Sequence, residues 1–321
     1  MTIHDFSSHR DLSNRVQAAV RHAVVGLESE VEACLAALLA GGHVLLEGPP
    51  GVAKTLLARA LAVALGCRFG RVQFTPDLMP ADVTGTSVFH PGEGVFRFQP
   101  GPVFAQVLLC DEINRAPAKT QAALLEAMQE GAVTVDGVRH ALPRPFFVLA
   151  TMNPIEHEGT YPLPEAQLDR FLFKLLIGWP PPAVEERILA EAHGRTPLSQ
   201  PAELGVRAVT TPDELTALAA AIEDIVVRED LPAYVVRLLG VTRASGSLVL
   251  GASPRAGVML LRASKARAAL QARDYVTPDD VKALFLPALR HRVMLDPAEE
   301  LEGATADGVL GRILSSVEVP R

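Results

Sequence analysis

The sequence predicts an α/β core, with helices packed on a parallel sheet, followed by a separate helical domain. Two patterns and a composition carry that expectation. Short apolar runs at 43–47, 69–74, 107–112, 146–151 and 172–177 alternate with stretches of helical period, the rhythm of strand and crossover helix. From residue 183 onward the strand signal fades and helical periods dominate. Aromatic residues make up only 5% of the 321 residues while Ala and Leu abound, which favours helices on a sheet over an all-β architecture.

Taken in order, residues 11–24 carry Leu12, Val16, Ala19, Val20 and Ala23 at helical spacing, and 27–39 form a second helix closed by Gly41 and Gly42. The run 43–47 reads as a strand that leads through GPPGVAKT at 48–55 into a helix over 56–62. Strand, glycine-bearing turn and helix, in that order, set unpaired backbone N–H groups around an anion at a helix N-terminus. The stretch resembles a P-loop, in which a lysine, here Lys54, reaches the β- and γ-phosphates and a hydroxyl, here Thr55, ligates Mg²⁺. Ala53 stands where G-x-x-x-x-G-K-[ST] has its last glycine. Entering a helix, it is expected to keep a negative φ, so that its methyl group costs little. Pro49 and Pro50 stiffen the turn. Taken alone, the stretch also suits an ordinary glycine-rich connection.

That helix ends near Gly66, and 69–74 is a second strand. Five prolines lie within 76–102, and PGEG at 91–94 separates 87–90 from 95–98, the pattern of an ordered hairpin inserted into the domain. The run 107–112 is a buried strand ending in Asp111 and Glu112. It resembles a Walker B motif, whose aspartate holds Mg²⁺ and whose glutamate orients the attacking water; two solvated carboxylates at a strand end are the alternative. After an amphipathic helix over 118–130, Asp136-Gly137 within 133–140 marks a second hairpin. The strand 146–151 delivers Asn153 to the edge that carries the carboxylates if the strands are parallel. There an amide positions water or a γ-phosphate, although an Asn before Pro154 is also a turn former.

A short polar turn over 165–171 carries Arg170, in its plain reading a surface arginine, and WPPP at 179–182 marks a boundary. Helices are expected over 184–192, 212–227, 231–244, 254–271 and 278–292. Thr211 and Thr277 stand as N-caps, each followed by Pro and acids in the first turn. Arg255 follows Ser253-Pro254, so a cation sits in a first turn where the helix dipole disfavours it. Either an anion lies nearby or the side chain is solvated. The tail 298–321 has a helical period around Val309, Ile313 and Leu314.

A net charge of −7 argues against broad affinity for nucleic acid or anionic membranes. Cys34, Cys67 and Cys110 are widely spaced within apolar stretches and read as reduced core residues in a cytosolic protein. With the nine histidines they form no zinc spacing, so no structural metal is expected. Residues 1–10 are polar, and no stretch approaches eighteen uninterrupted apolar residues, so neither a signal peptide nor a membrane span is expected.

Together the motifs resemble the MoxR family within the AAA+ ATPases. The resemblance rests on GPPGVAKT at 48–55, PDLMPADVTG at 76–85, FRFQPGPVF at 96–104, DEINRAP at 111–117, ATMNPIEHEGTYPLPEAQLDRF at 150–171 and ASPRA at 252–256, and it runs from about residue 24 to 296. It implies a P-loop core with a five-stranded parallel sheet, two inserted hairpins (the helix-2 insert and the pre-sensor hairpin) and an all-α lid. The implied division is an N-terminal helix over 1–24, the ATPase core over 25–180, the lid over 181–296 and a tail over 297–321. It also implies that Gly48, Pro49, Pro50, Gly51, Val52, Ala53, Lys54, Thr55 and Leu56 bind ATP, that Thr55 and Asp111 hold Mg²⁺, and that Glu112 is catalytic. Asn153 is then similar to sensor 1, Arg170 to an arginine finger supplied to a neighbouring subunit, and Arg255 to sensor 2 on the lid.

The implied protein is a cytoplasmic homo-oligomer, expected as a hexameric ring, that uses ATP binding and hydrolysis to remodel or mature a client. A von Willebrand A-type partner, acting in cofactor or metal insertion, is expected with it. Two other readings stand beside this one. A nucleic-acid-remodelling motor is opposed by the net acidity, and a nucleotide-binding scaffold without turnover is opposed by Glu112.

Overall fold

A computed structural model describes residues 5–154, 161–192 and 200–320. Residues 155–160, part of the 150–171 motif, lie outside the described residues, as do 1–4, 193–199 and 321. In chain order the first nine strands are β1 (Val44–Glu47), β2 (Phe69–Gln73), β3 (Gly85–His90), β4 (Val95–Pro100), β5 (Val107–Asp111), β6 (Ala132–Val135), β7 (Val138–Ala141), β8 (Phe147–Met152) and β9 (Phe173–Leu176). Five of them form one parallel sheet in the order β2-β5-β8-β1-β9. The other four are two antiparallel hairpins, β3–β4 and β6–β7, standing outside it.

Why the strands are nearly continuous apolar runs follows from burial on both faces. Val44, Leu46, Val107, Leu109, Phe147 and Leu149 face one hydrophobic cluster, while Leu45, Leu108, Cys110, Val148 and Ala150 face the other. Helices α1 (Ser7–Val20), α2 (Glu28–Leu39) and α3 (Lys54–Ala64) cover the first face. A short helix, α4 (Pro80–Thr84), and a longer one, α5 (Ala118–Glu130), follow, and α5 packs on the second face. A further short helix, α6 (Glu165–Leu168), precedes β9.

Beyond β9 come α7 (Pro182–Ala192), α8 (Pro212–Ala221), α9 (Asp230–Ala244), α10 (Pro254–Leu270), α11 (Pro278–Leu289), α12 (Pro297–Leu301) and α13 (Ala306–Ser316). The apolar faces of α8–α11 and α13, with Leu215, Leu238, Leu260, Phe285 and Leu310, join the first cluster, so lid and core share one continuous interior. The expected caps are made. Thr211 Oγ1 accepts from the Glu214 N–H at 3.2 Å, Ser253 Oγ accepts from Ala256 N–H at 3.3 Å, and Thr277 forms a capping box with Asp280.

Four local features differ from expectation. The first helix begins at Ser7 and ends at Val20, earlier than 11–24, because Phe6 and His9 are buried and His9 Nε2 donates to the Leu218 carbonyl at 3.0 Å. The helix expected over 212–227 stops at Ala221, where a 3₁₀ turn lets Val226 pair with Tyr275. A two-stranded ribbon, β10 (Leu248–Leu250) with β11 (Met294–Leu295), is added to the helical lid. The first hairpin is longer than 87–90 and 95–98, pairing from Gly85↔Pro100 to His90↔Val95.

Candidate functional site

Because β1, β5 and β8 run parallel, their C-terminal ends meet at one edge of the sheet, the edge where open α/β sheets bind ligands. β1 delivers the glycine loop, β5 delivers Asp111 and Glu112, and β8 delivers Thr151 and Asn153. A cleft of about 380 Å³ lies there, lined by Pro50, Gly51, Val52, Ala53, Lys54, Thr55, Leu56, Arg71, Gln73, Asp111, Glu112, Thr151, Met152 and Asn153. Size does not single it out, since grooves of about 760 and 880 Å³ lie elsewhere. Its chemistry does: one amine, one guanidinium, two hydroxyls, two carboxylates and two amides converge beneath the N-terminus of α3.

The loop is shaped by contacts that only some residues permit. A Cβ on Gly48 would stand 2.1 Å from the Ile177 carbonyl oxygen, so the loop leaves β1 pressed against the exit of β9. Gly51 has φ +86° and open space where a side chain would be. Ala53 corrects the sequence reading. It takes φ +62°, the left-handed conformation that glycine supplies at this position, rather than the negative φ expected for it. Its methyl group does cost something, and the loop geometry overrides residue preference here.

Lys54 Nζ donates to the carbonyls of Gly48 and Pro49, the latter at 2.9 Å, so the ammonium lies folded over the loop. Asp111 is buried. Its Oδ1 accepts from Thr55 Oγ1 at 3.4 Å and Thr151 Oγ1 at 3.3 Å, and its Oδ2 pairs with Arg71 Nε at 2.7 Å. Glu112 also holds a left-handed backbone, φ +57°, with its N–H on Thr151 Oγ1 at 2.9 Å. Gln73 Nε2 donates to Glu112 Oε2 at 2.8 Å, and Arg115 Nε lies 3.1 Å from that oxygen. Asn153 is buried at the same wall.

Hydroxyl and carboxylate oxygens side by side form a hard-donor pair that fits Mg²⁺, and an open loop under a helix N-terminus with a lysine beside it fits a polyphosphate. The structure thus brings Lys54, Thr55, Asp111, Glu112 and Asn153 together with the whole 50–56 loop. It does not bring Arg170 or Arg255 to this cleft. Arg170 Nη1 donates to the Ala166 carbonyl at 2.7 Å, while its buried Nε has no hydrogen-bond partner among the described residues. Arg255 Nε lies 3.4 Å from Asp169 Oδ2, so the anion that its place in a first turn calls for is, in this chain, a protein carboxylate. Sequence reasoning missed Arg71, Gln73 and Thr151. The signal for the first two is their spacing of two around buried Val72, which puts both on one side of β2, but its use requires knowing that β2 neighbours β5.

Residues 43–173 match the ATPase family associated with various cellular activities (AAA), and residues 241–313 match the AAA lid domain. Over 305 residues the chain is 44% identical to Chaperone MoxR1 of Mycobacterium tuberculosis, covering 94% of this chain and 81% of that protein. The chain belongs to the MoxR family of AAA+ ATPases. Protein MoxR of Methylorubrum extorquens is 35% identical over 92% of this chain and 91% of its own length. A crystal structure from Cytophaga hutchinsonii, 36% identical, superposes with a TM-score of 0.89 and covers 98% of this chain and 97% of that one. Asp169 of the first matched segment of this MoxR-family chain pairs with two arginines of the second, Arg255 at 3.4 Å and Arg292 at 2.7 Å. Among the described residues no helix is long and apolar enough to cross a membrane.

Proposed function

We propose that the protein is an ATP-hydrolysing MoxR-type AAA+ chaperone. It acts as a homo-oligomeric ring, taken as hexameric, in the cytoplasm, where it remodels or matures a client with a von Willebrand A-type partner in cofactor or metal insertion. The working division is 1–24, 25–180, 181–296 and 297–321. One observation carries the reading: the amine of Lys54, the Thr55–Asp111 pair, the Glu112 carboxylate and the Asn153 amide line one cleft under the N-terminus of α3.

In that cleft the loop from Gly48 to Leu56 binds the phosphates of ATP through the N–H groups of 51–56 and the Lys54 ammonium, and Thr55 with Asp111 would hold Mg²⁺, whose bound charge neutralises the phosphates. Glu112 orients the attacking water and accepts its proton, and Asn153 holds the water or the γ-phosphate in line. The Gln73 and Arg115 contacts hold one oxygen of the Glu112 carboxylate and leave the other for the water. Arg255 reaches the nucleotide from the lid by releasing Asp169. Arg170, lying away from its own cleft, suits a role in the neighbour's cleft, where its guanidinium meets developing negative charge. ATP affinity of Lys54→Ala is the test. Loss of one charge-assisted contact, worth ~1.5–3 kcal/mol, predicts an affinity loss of roughly 10- to 150-fold by calorimetry. Unchanged affinity overturns the placement of nucleotide here.

A further inference from the structure

The turn that carries Arg170 is held chiefly by the lid. Arg292, just past the C-terminus of α11, has a side chain only 2% exposed and places all of its N–H groups on this turn and its surroundings. Nε donates to Asp169 Oδ1 at 2.7 Å. Nη1 donates to the carbonyls of Leu172, at 3.1 Å, and Ala288. Nη2 donates to the carbonyls of Phe171, at 2.6 Å, and Asp169, at 3.2 Å, and lies 3.1 Å from Met259 Sδ. The neighbouring His291 adds Nε2–H to the same Phe171 carbonyl at 2.9 Å. With five donors all engaged, this guanidinium has none to offer a ligand. Asp169 is shared: its second oxygen takes Arg255, which is 52% exposed and so exchangeable, while the arm to Arg292 is sealed from solvent.

Resting on the reading of Arg170 as a finger for the neighbouring subunit, we propose that Arg292 is a positioning residue for Arg170. It ties residues 169–172 to the lid, so that lid angle in one subunit sets how far its Arg170 reaches into the next. Asp169 is the joint. When Arg255 leaves for a nucleotide, the exposed half of the joint opens and the buried half keeps the turn attached to the moving lid. A lysine at 292 keeps the charge but, with one nitrogen, cannot span the carboxylate and four carbonyls.

Mixed rings test this. At an ATP concentration that fills native sites but not the weakened ones, Lys54→Ala subunits stay largely empty but donate a finger, and Arg170→Ala subunits hold nucleotide but lack one, so the two together recover turnover. Adding Arg292→Lys to the Lys54→Ala subunit is expected to lower that recovery at least tenfold, since displacements near 1 Å cost on the order of 10²-fold. Adding it instead to the Arg170→Ala subunit is expected to leave recovery and ATP affinity unchanged. Equal recovery in both arrangements, or equal loss in both, overturns the positioning role. No recovery in the control pair, with mixed oligomers verified by native mass spectrometry, overturns the finger reading and this inference with it. Should Arg292→Lys fail to fold, Arg292→Gln, which leaves no unpaired buried cation and keeps the Asp169–Arg255 pair, carries the same asymmetric comparison.

Discussion

Ala53 and Glu112 both hold left-handed backbones at the edge of the cleft, conformations that cost a non-glycine residue ~1–2 kcal/mol. Strain of this kind persists where surrounding contacts over-determine it: the Lys54 and Thr55 contacts fix the loop on one side, and Thr151 fixes the Glu112 N–H on the other. Ala53→Gly is therefore expected to raise stability by about 0.5–1 kcal/mol after the added chain entropy of glycine is subtracted, read by chemical denaturation. A drop in stability shows that the methyl group is favourably packed. Glu112→Gln separates binding from chemistry. The amide keeps the shape but cannot take a proton, so ATP should bind and turnover should fall by ~10²–10⁴. Turnover within about twofold of the native protein removes Glu112 from the role of base.

At the scale of elements, the β3–β4 hairpin sets Phe89 and Phe96 across from each other with ring centroids 5.1 Å apart, and Phe96 is 72% exposed. Phe98 stacks on His140 of the second hairpin at 3.9 Å, so the two insertions rest on one another away from the cleft. Replacing 87–98 by a short turn, with the Gly85↔Pro100 and Thr86↔Gln99 pairs retained, should leave ATP affinity within about twofold, since no hairpin residue lines the cleft. A tenfold loss of affinity in a folded deletion protein contradicts that separation. Elements of this kind could be read from the chain because their signals are local: apolar runs buried on both faces, Asp-Gly at a turn, Thr-Pro at a cap. The same holds for Lys54, Thr55, Asp111, Glu112 and Asn153, each at the tip of a strand or the start of a helix. What could not be read depends on contacts distant in sequence. The left-handed Ala53, the pairing of Arg71 with Asp111 and the burial of Arg292 at the 169–172 turn arise only when strands and lid assemble, and no spacing within one segment announces them.

Over the whole molecule, burial keeps several histidines neutral. His43, enclosed beneath the sheet with Nε2 on the Met128 carbonyl and Nδ1 accepting from the Val148 N–H, has its pKa lowered from 6.5 to about 4 by desolvation, against a smaller opposing effect of the Met128 contact. His9 and His291 shift the same way, again chiefly through burial. As pH falls, the unfolded chain takes up these protons first, so stability present above about pH 6.5 is lost progressively toward pH 4. For His43 alone the loss between pH 7 and 5 is about 2 kcal/mol, and His43→Gln should flatten the slope by that amount in denaturation curves measured at the two pH values. A slope unchanged by the substitution means that His43 does not stay neutral. The order of the sheet has a further consequence for the newly made chain. β1 lies between β8 and β9, whose first residues are Phe147 and Phe173, so the strand that leads into the nucleotide loop is made long before either of its neighbours. At ~5–20 residues per second, roughly 5–20 s separate Glu47 from its first pairing partner on the ribosome. Throughout that interval Val44, Leu45 and Leu46, all fully buried in the finished sheet, have no strand beside them, so the growing chain carries an unpaired apolar segment, open to pairing with other chains, until its neighbours are made.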